Sequence, residues 1–128
     1  MEKQLISEET SEELEGVCRA VVGDELRSIT YFTPEHVEQV YLRSDLEQTA
    51  DLVGFAEFER LGFQSHLAYK DSQLGEYRGT IRMFENGYLT RIIAGEHGIW
   101  VTTDDMSIDR FHELVTALTA ILSEFDSF

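Results

Sequence analysis

Three strand-like runs in succession, YRGTIRMF, YLTRIIA and IWVTT, lie between Tyr77 and Thr103. No other stretch constrains the fold as strongly. Each run is rich in β-branched and aromatic residues, and short glycine-containing turns separate them. The first turn reads Glu85-Asn86-Gly87-Tyr88. Asn-Gly between two such runs predicts a type I′ hairpin, because that turn needs positive φ at both central residues. The second turn, Gly95-Glu96-His97-Gly98, is equally short. The stretch therefore predicts an antiparallel meander of three strands.

The rest of the chain supplies what covers such a sheet. Residues 7–23 predict a first helix, with Leu14, Val17, Cys18, Val21 and Val22 on one apolar stripe. Thr10 and Glu13 have capping-box spacing, and Gly23 stands where a glycine ends a helix. Leu26 to Phe32 and Val37 to Arg43 read as two strands joined by Thr33-Pro34-Glu35-His36, a tight turn that uses the one proline. Ser44-Asp45-Leu46-Glu47 is a second capping box, so a second helix is expected at once, with Leu46, Ala50 and Val53 on its stripe. Segment 62–75 has no firm period and is expected to be irregular or partly helical. Ser107 caps a last helix whose stripe runs Ile108, Phe111, Leu114, Val115, Leu118, Ile121, Leu122 and Phe125, with Met106 placed to staple onto Phe111. The expected architecture is a single α+β domain over residues 1–128, an α/β sandwich with order α-β-β-α-β-β-β-α and one mainly antiparallel five-stranded sheet.

Charge restricts the partners. Asp and Glu number 25 against 10 Lys and Arg, for a net charge of −15. Only Lys3 and Lys70 are lysines. So acidic a chain repels phosphate backbones and anionic lipid, which argues against nucleic acid and membrane partners. Strong acidity with little lysine resembles the proteins of a salt-loving archaeal cytoplasm, where counterions screen the repulsion. One cysteine allows no internal disulfide, and the N-terminal residues lack the apolar core of a signal peptide. The expected location is cytoplasmic.

The residues carry no recognisable catalytic motif. There is no GxSxG, P-loop, GxGxxG or HExxH pattern. His36, His66, His97 and His112 have no metal-ligand spacing; His36 and His97 fall in turns, where solvated histidines are ordinary. Asp104-Asp105 follows a strand, a place that sometimes holds a divalent cation but is more often an acidic loop before a helix. Cys18 on an apolar stripe reads as a buried, inert thiol. No enzyme activity, cofactor or metal is expected.

The arginines form the one constellation with functional potential. Residues 77–103 hold Arg78, Arg82 and Arg91 against Glu85 and Glu96, a net +1 in an acidic chain. Counted from an Asn86-Gly87 turn, Glu85 faces Tyr88, Phe84 faces Leu89, Met83 faces Thr90 and Arg82 faces Arg91. Two opposed guanidiniums repel unless something neutralises them. Either a covering helix supplies carboxylates, or Arg82 and Arg91 bind an anion or a partner's acidic surface.

The element order resembles the Roadblock and profilin-like group of folds. The stretches RSITYFTPEHVEQVYLRSDLE and YRGTIRMFENGYLTRI are similar to a family of small haloarchaeal proteins of unknown function. The first resemblance implies assembly through a helix and an exposed sheet edge, hence a homodimer and an interaction module with an unknown protein partner. The alternative expectation is a small-ligand or anion sensor using Arg82 and Arg91.

Overall fold

The computed structural model describes residues 6–47 and 72–125. Helix α1, Glu8–Val22, starts where the Ser7 side chain accepts the Thr10 N–H at 3.1 Å. Ser7, and not the Thr10 capping box, is therefore the cap. Gly23 ends the helix at φ 63, with its N–H on the Arg19 carbonyl, as expected of a C-terminal glycine. A 3₁₀ turn, Gly23–Glu25, leads into strand β1, Leu26–Phe32. Strand β2 is Val37–Leu42. The loop between them is closed by Thr33, whose N–H donates to the His36 carbonyl at 2.8 Å while its hydroxyl accepts the His36 N–H.

Residues Ser44, Asp45 and Leu46 form a turn and bend, not the first turn of a helix. The capping-box expectation fails at these residues for a local reason. Asp45 is held by the Arg43 guanidinium at 2.6 Å, and the Leu46 N–H donates back to the Arg43 carbonyl. The remainder of the expected second helix, with Ala50 and Val53, lies outside the described residues, as does 62–71.

The meander comprises β3, Thr80–Phe84, β4, Gly87–Ala94, and β5, His97–Thr103. Helix α2, Ile108–Phe125, follows directly on Ser107. All five strands pair antiparallel in the order β2-β1-β5-β4-β3. The two expected hairpins sit side by side through β1 and β5. Helices α1 and α2 pack together on one face, here called the helical face. Leu14, Cys18 and Val22 meet Leu114, Leu118 and Leu122 there, above Ile29, Ile92, Ile99 and Val101. Alternation sends Phe32, Leu89, Ile93 and Trp100 to the opposite face, where they are also buried.

One detail of the hairpin departs from expectation and changes the site. The loop is Glu85-Asn86, and Gly87 pairs with Phe84 as the first residue of β4. Gly87 is not among the glycines with positive φ. It is glycine because a Cβ there would stand 2.1 Å from the Thr103 carbonyl oxygen. Close approach of β5, not turn geometry, requires it. Residues 77–79 precede the strand and do not belong to it.

Candidate interaction edge

The two margins of the sheet are built differently. At β2, the pairing with β1 is interrupted by a bulge opposite Ile29 and Thr30, and Glu38 accepts the Ile6 N–H at 3.2 Å. Every residue of β2 is half-buried. Bulges and tied carboxylates are the devices that keep an edge from pairing. At β3 the described residues show neither. Ile81, Met83 and Phe84 are 44%, 78% and 51% exposed.

Hairpin geometry shows which main-chain groups are available at β3. A two-residue loop makes Phe84 and Gly87 the hydrogen-bonded closing pair. Alternation makes Arg82/Leu89 and Thr80/Arg91 bonded pairs and leaves Met83/Tyr88 and Ile81/Thr90 non-bonded. The N–H and C=O groups of Ile81 and Met83 therefore point outward, away from β4. Their side chains lie on the helical face.

Among the strands, α2 packs chiefly on β4, and Ile81 and Met83 of β3 stay exposed on that face. A cavity of about 280 Å³ results, lined by Arg78, Ile81, Ile108, His112, Val115 and Thr116. Ile108 is 78% exposed, so the first residue of the expected core stripe lies outside the core. Tyr88 packs edge-on against Phe111 at 4.8 Å, and burial, followed by the charge and hydrogen bond of Asp105, pushes its hydroxyl above the usual tyrosine range.

The arginine pair is not arranged as the sequence suggests. Moving the loop by one residue changes every facing partner by two positions. Two is the side-chain period, so faces are kept and opposition is lost. Arg82 faces Leu89, and Arg91 faces Thr80. Arg82 is exposed, whereas Arg91 is buried and donates from Nη2 to the Thr80 hydroxyl at 3.3 Å. The Thr80 hydroxyl is also bonded to the Tyr77 hydroxyl. Both arginines lie on the face opposite α1 and α2, so the carboxylates of those helices do not stand between them.

Other candidates resolve into structure. Asp104 receives Arg43 Nη1 at 2.6 Å and lies 3.7 Å from Arg27. It serves as an ionic tie, and no group of His, Cys, Asp and Glu suited to a metal occurs among the described residues. His97 is buried, not solvated: its Nδ1 is 2.9 Å from the Tyr31 hydroxyl. The sequence placed it in a turn because glycines flank it, but it opens β5. His36 is exposed, as expected. His66 lies outside the described residues. Burial pushes the Cys18 thiol up to about 12, in keeping with an inert thiol. No described helix is long and apolar enough to cross a membrane.

A family model, the domain of unknown function DUF7522, matches residues 12–123. The chain belongs to the DUF7522 family. No match was found among the curated proteins. Among solved structures, this DUF7522 domain is similar to the gliding protein MglB of Thermus thermophilus, with 14% identity and a TM-score of 0.66 over 97% of this chain and 98% of that one. An MglB described as having a tetrameric arrangement gives 16% identity and a TM-score of 0.64, also over 97% and 98%. A Roadblock/LC7 domain from Streptomyces avermitilis gives 14% and 0.50, over 83% and 92%. At such identities the likeness concerns the fold, which is Roadblock-like as the element order implied. The DUF7522 edge strand itself was legible as a strand, but its exposure was not. Edge position depends on β1 pairing with β5, a contact between residues some seventy positions apart.

Proposed function

We propose that this DUF7522 domain is a non-enzymatic assembly module of a salt-adapted cytoplasm, and that it pairs with a second copy of itself through the outer edge of β3. The contrast between the two sheet edges carries the reading. An open edge with apolar side chains invites pairing, and a two-fold axis is the simplest way to close it. Joining two β3 strands antiparallel satisfies the outward N–H and C=O groups of Ile81 and Met83 in both copies. It also brings Ile81, Met83 and Phe84 beside their counterparts in the second copy. The tetrameric arrangement reported for one MglB supports self-association of this fold. Arg82 borders the same edge and is proposed as a partner-facing residue. The opposed arginine pair that would have formed an anion sensor is replaced by one exposed and one buried guanidinium.

Light scattering in molar KCl tests the reading. The wild-type chain is expected at twice its 14.7 kDa mass. Met83→Pro removes one outward N–H without touching the ladder to β4, because Met83 is a non-bonded position. It is expected to run as a folded monomer, with Met83→Lys weakening the dimer through the side chain alone. A monomeric wild-type chain at high concentration would overturn the proposal.

A further inference from the structure

We infer that the groove between α2 and β3 is a docking site for an extended, apolar segment of another protein that carries carboxylates beside its apolar residues. This rests on the reading of the chain as an interaction module. The groove has an apolar floor and wall, formed by Ile81 from β3 and by Ile108 and Val115 from α2. Arg78 is exposed at its rim, and His112 and Thr116 complete its polar border.

The charge of the groove identifies the class of partner. The chain carries −15, yet the described lining residues include one arginine, one histidine and no carboxylate. Arg78 is the one formal charge there, and it is positive. A guanidinium at the rim of an apolar groove takes a carboxylate in a two-pronged contact while the apolar side chains beside it are buried. Nucleic acid and anionic lipid are repelled by the rest of the surface.

A second copy is not the occupant. When two β3 edges join about an axis normal to the sheet, both grooves open on the same side, next to each other. Neither copy then places a residue in the other's groove by the pairing itself. The spacing also excludes a helical occupant. With α2 over β4, three strand spacings of about 4.8 Å separate the two α2 axes near the join. That is about 14 Å, wider than the roughly 8–10 Å of packed helices and too narrow to seat another helix between them.

The test uses the full chain and three short fluorescent synthetic peptides. One has a Leu-Phe-Leu core flanked by glutamates, one has lysine in place of each glutamate, and one keeps the glutamates around a serine core. The first is expected to bind at least about tenfold more tightly than the other two. Ile108→Asp should weaken it by about as much, and Ile108 is exposed enough for the fold to tolerate the change. Arg78→Glu should reverse the preference toward the lysine peptide. Methyl signals of Ile108 and Val115 should move on binding to the wild-type chain. Equal binding of all three peptides, no binding of the first, or binding indifferent to Ile108→Asp would each overturn the inference. Failure of β3 pairing would instead show as a change of mass, so the two readings fail separately.

Discussion

Arg43 and Asp104 join the end of β2 to the residue that follows β5, with Nη1 2.6 Å from Oδ2. The same guanidinium holds Asp45 through Nε at 2.6 Å and reaches the Asp24 carbonyl at 3.1 Å. One side chain therefore ties together the exits of α1, β2 and β5. Its carboxylate partners, Asp104 first and then Asp45, raise its pKa further above the usual range.

Replacing Arg43 by Met is expected to cost about 1 kcal/mol, measured by urea unfolding. The figure is modest because the Asp104 side chain is 38% exposed and water screens the pair. The hydrogen bond from Arg43 lowers the Asp45 pKa. A depressed carboxylate adds stability above the ordinary aspartate range and loses it as pH falls through its folded pKa. The Asp45 carboxyl should therefore titrate below that range by NMR and return to it in Arg43→Met. A normal titration of Asp45 in the wild-type chain would refute the tie.

The two arginines of the hairpin should separate cleanly. Arg91 is 2% exposed and bonded to Thr80, so Arg91→Ala is expected to cost about 2 kcal/mol. Arg82 is exposed, and Arg82→Ala should change stability by less than about 0.5 kcal/mol. The comparison is made by urea unfolding in the Met83→Pro background, where edge pairing is absent. Equal costs would restore the view of the two as a unit.

What was legible in the sequence follows from what each signal measures. Helical periodicity located α1 and α2 because burial repeats along one face, and Leu14, Cys18 and Val22 are buried as the stripe required. The strand runs were legible from their β-branched and aromatic content, since β1 and β5 are buried almost throughout and show no one-face repeat. Register was not. Asn86-Gly87 satisfied the rule for a type I′ turn, but the rule sees only local φ preferences. The Thr103 carbonyl that dictates Gly87 sits on another strand. The Ser44 capping box failed similarly, since Arg43 claims Asp45 through a network anchored at Asp104. The candidate edge depends on strand order, which no local pattern encodes.

Gly87 offers a direct test of that explanation. A Cβ at Gly87 would meet the Thr103 carbonyl oxygen, which backbone must move to relieve. Gly87→Ala is expected to cost at least about 2 kcal/mol. Gly87→Asn separates the two possible causes. Asparagine tolerates positive φ, so a turn position would accept it with little loss. A close approach would not, and thermal unfolding should show Asn to be as damaging as Ala. A near-neutral Gly87→Asn would reinstate the Asn86-Gly87 turn.

Salt dependence is the broadest prediction, and α1 makes it specific. Its exposed surface carries Glu8, Glu9, Glu12 and Glu13. Glu8 with Glu12 and Glu9 with Glu13 are like charges one helical turn apart, an arrangement that destabilises a helix by a few tenths of a kcal/mol per pair. Repulsion across a surface of net −15 adds to this. Raising KCl from 0.1 M to 1 M shortens the screening length from about 10 Å to about 3 Å. The melting temperature should therefore climb steadily over that range. Glu12→Lys together with Glu13→Lys replaces both like pairs by opposite ones, because Glu8 and Glu9 then stand one turn before a lysine. That variant should melt higher in dilute KCl and show a shallower salt dependence, while converging on the wild-type value in molar KCl. A wild-type melting temperature indifferent to KCl would mean that the fold bears its charge without help, and the salt-adapted cytoplasm would lose its physical basis.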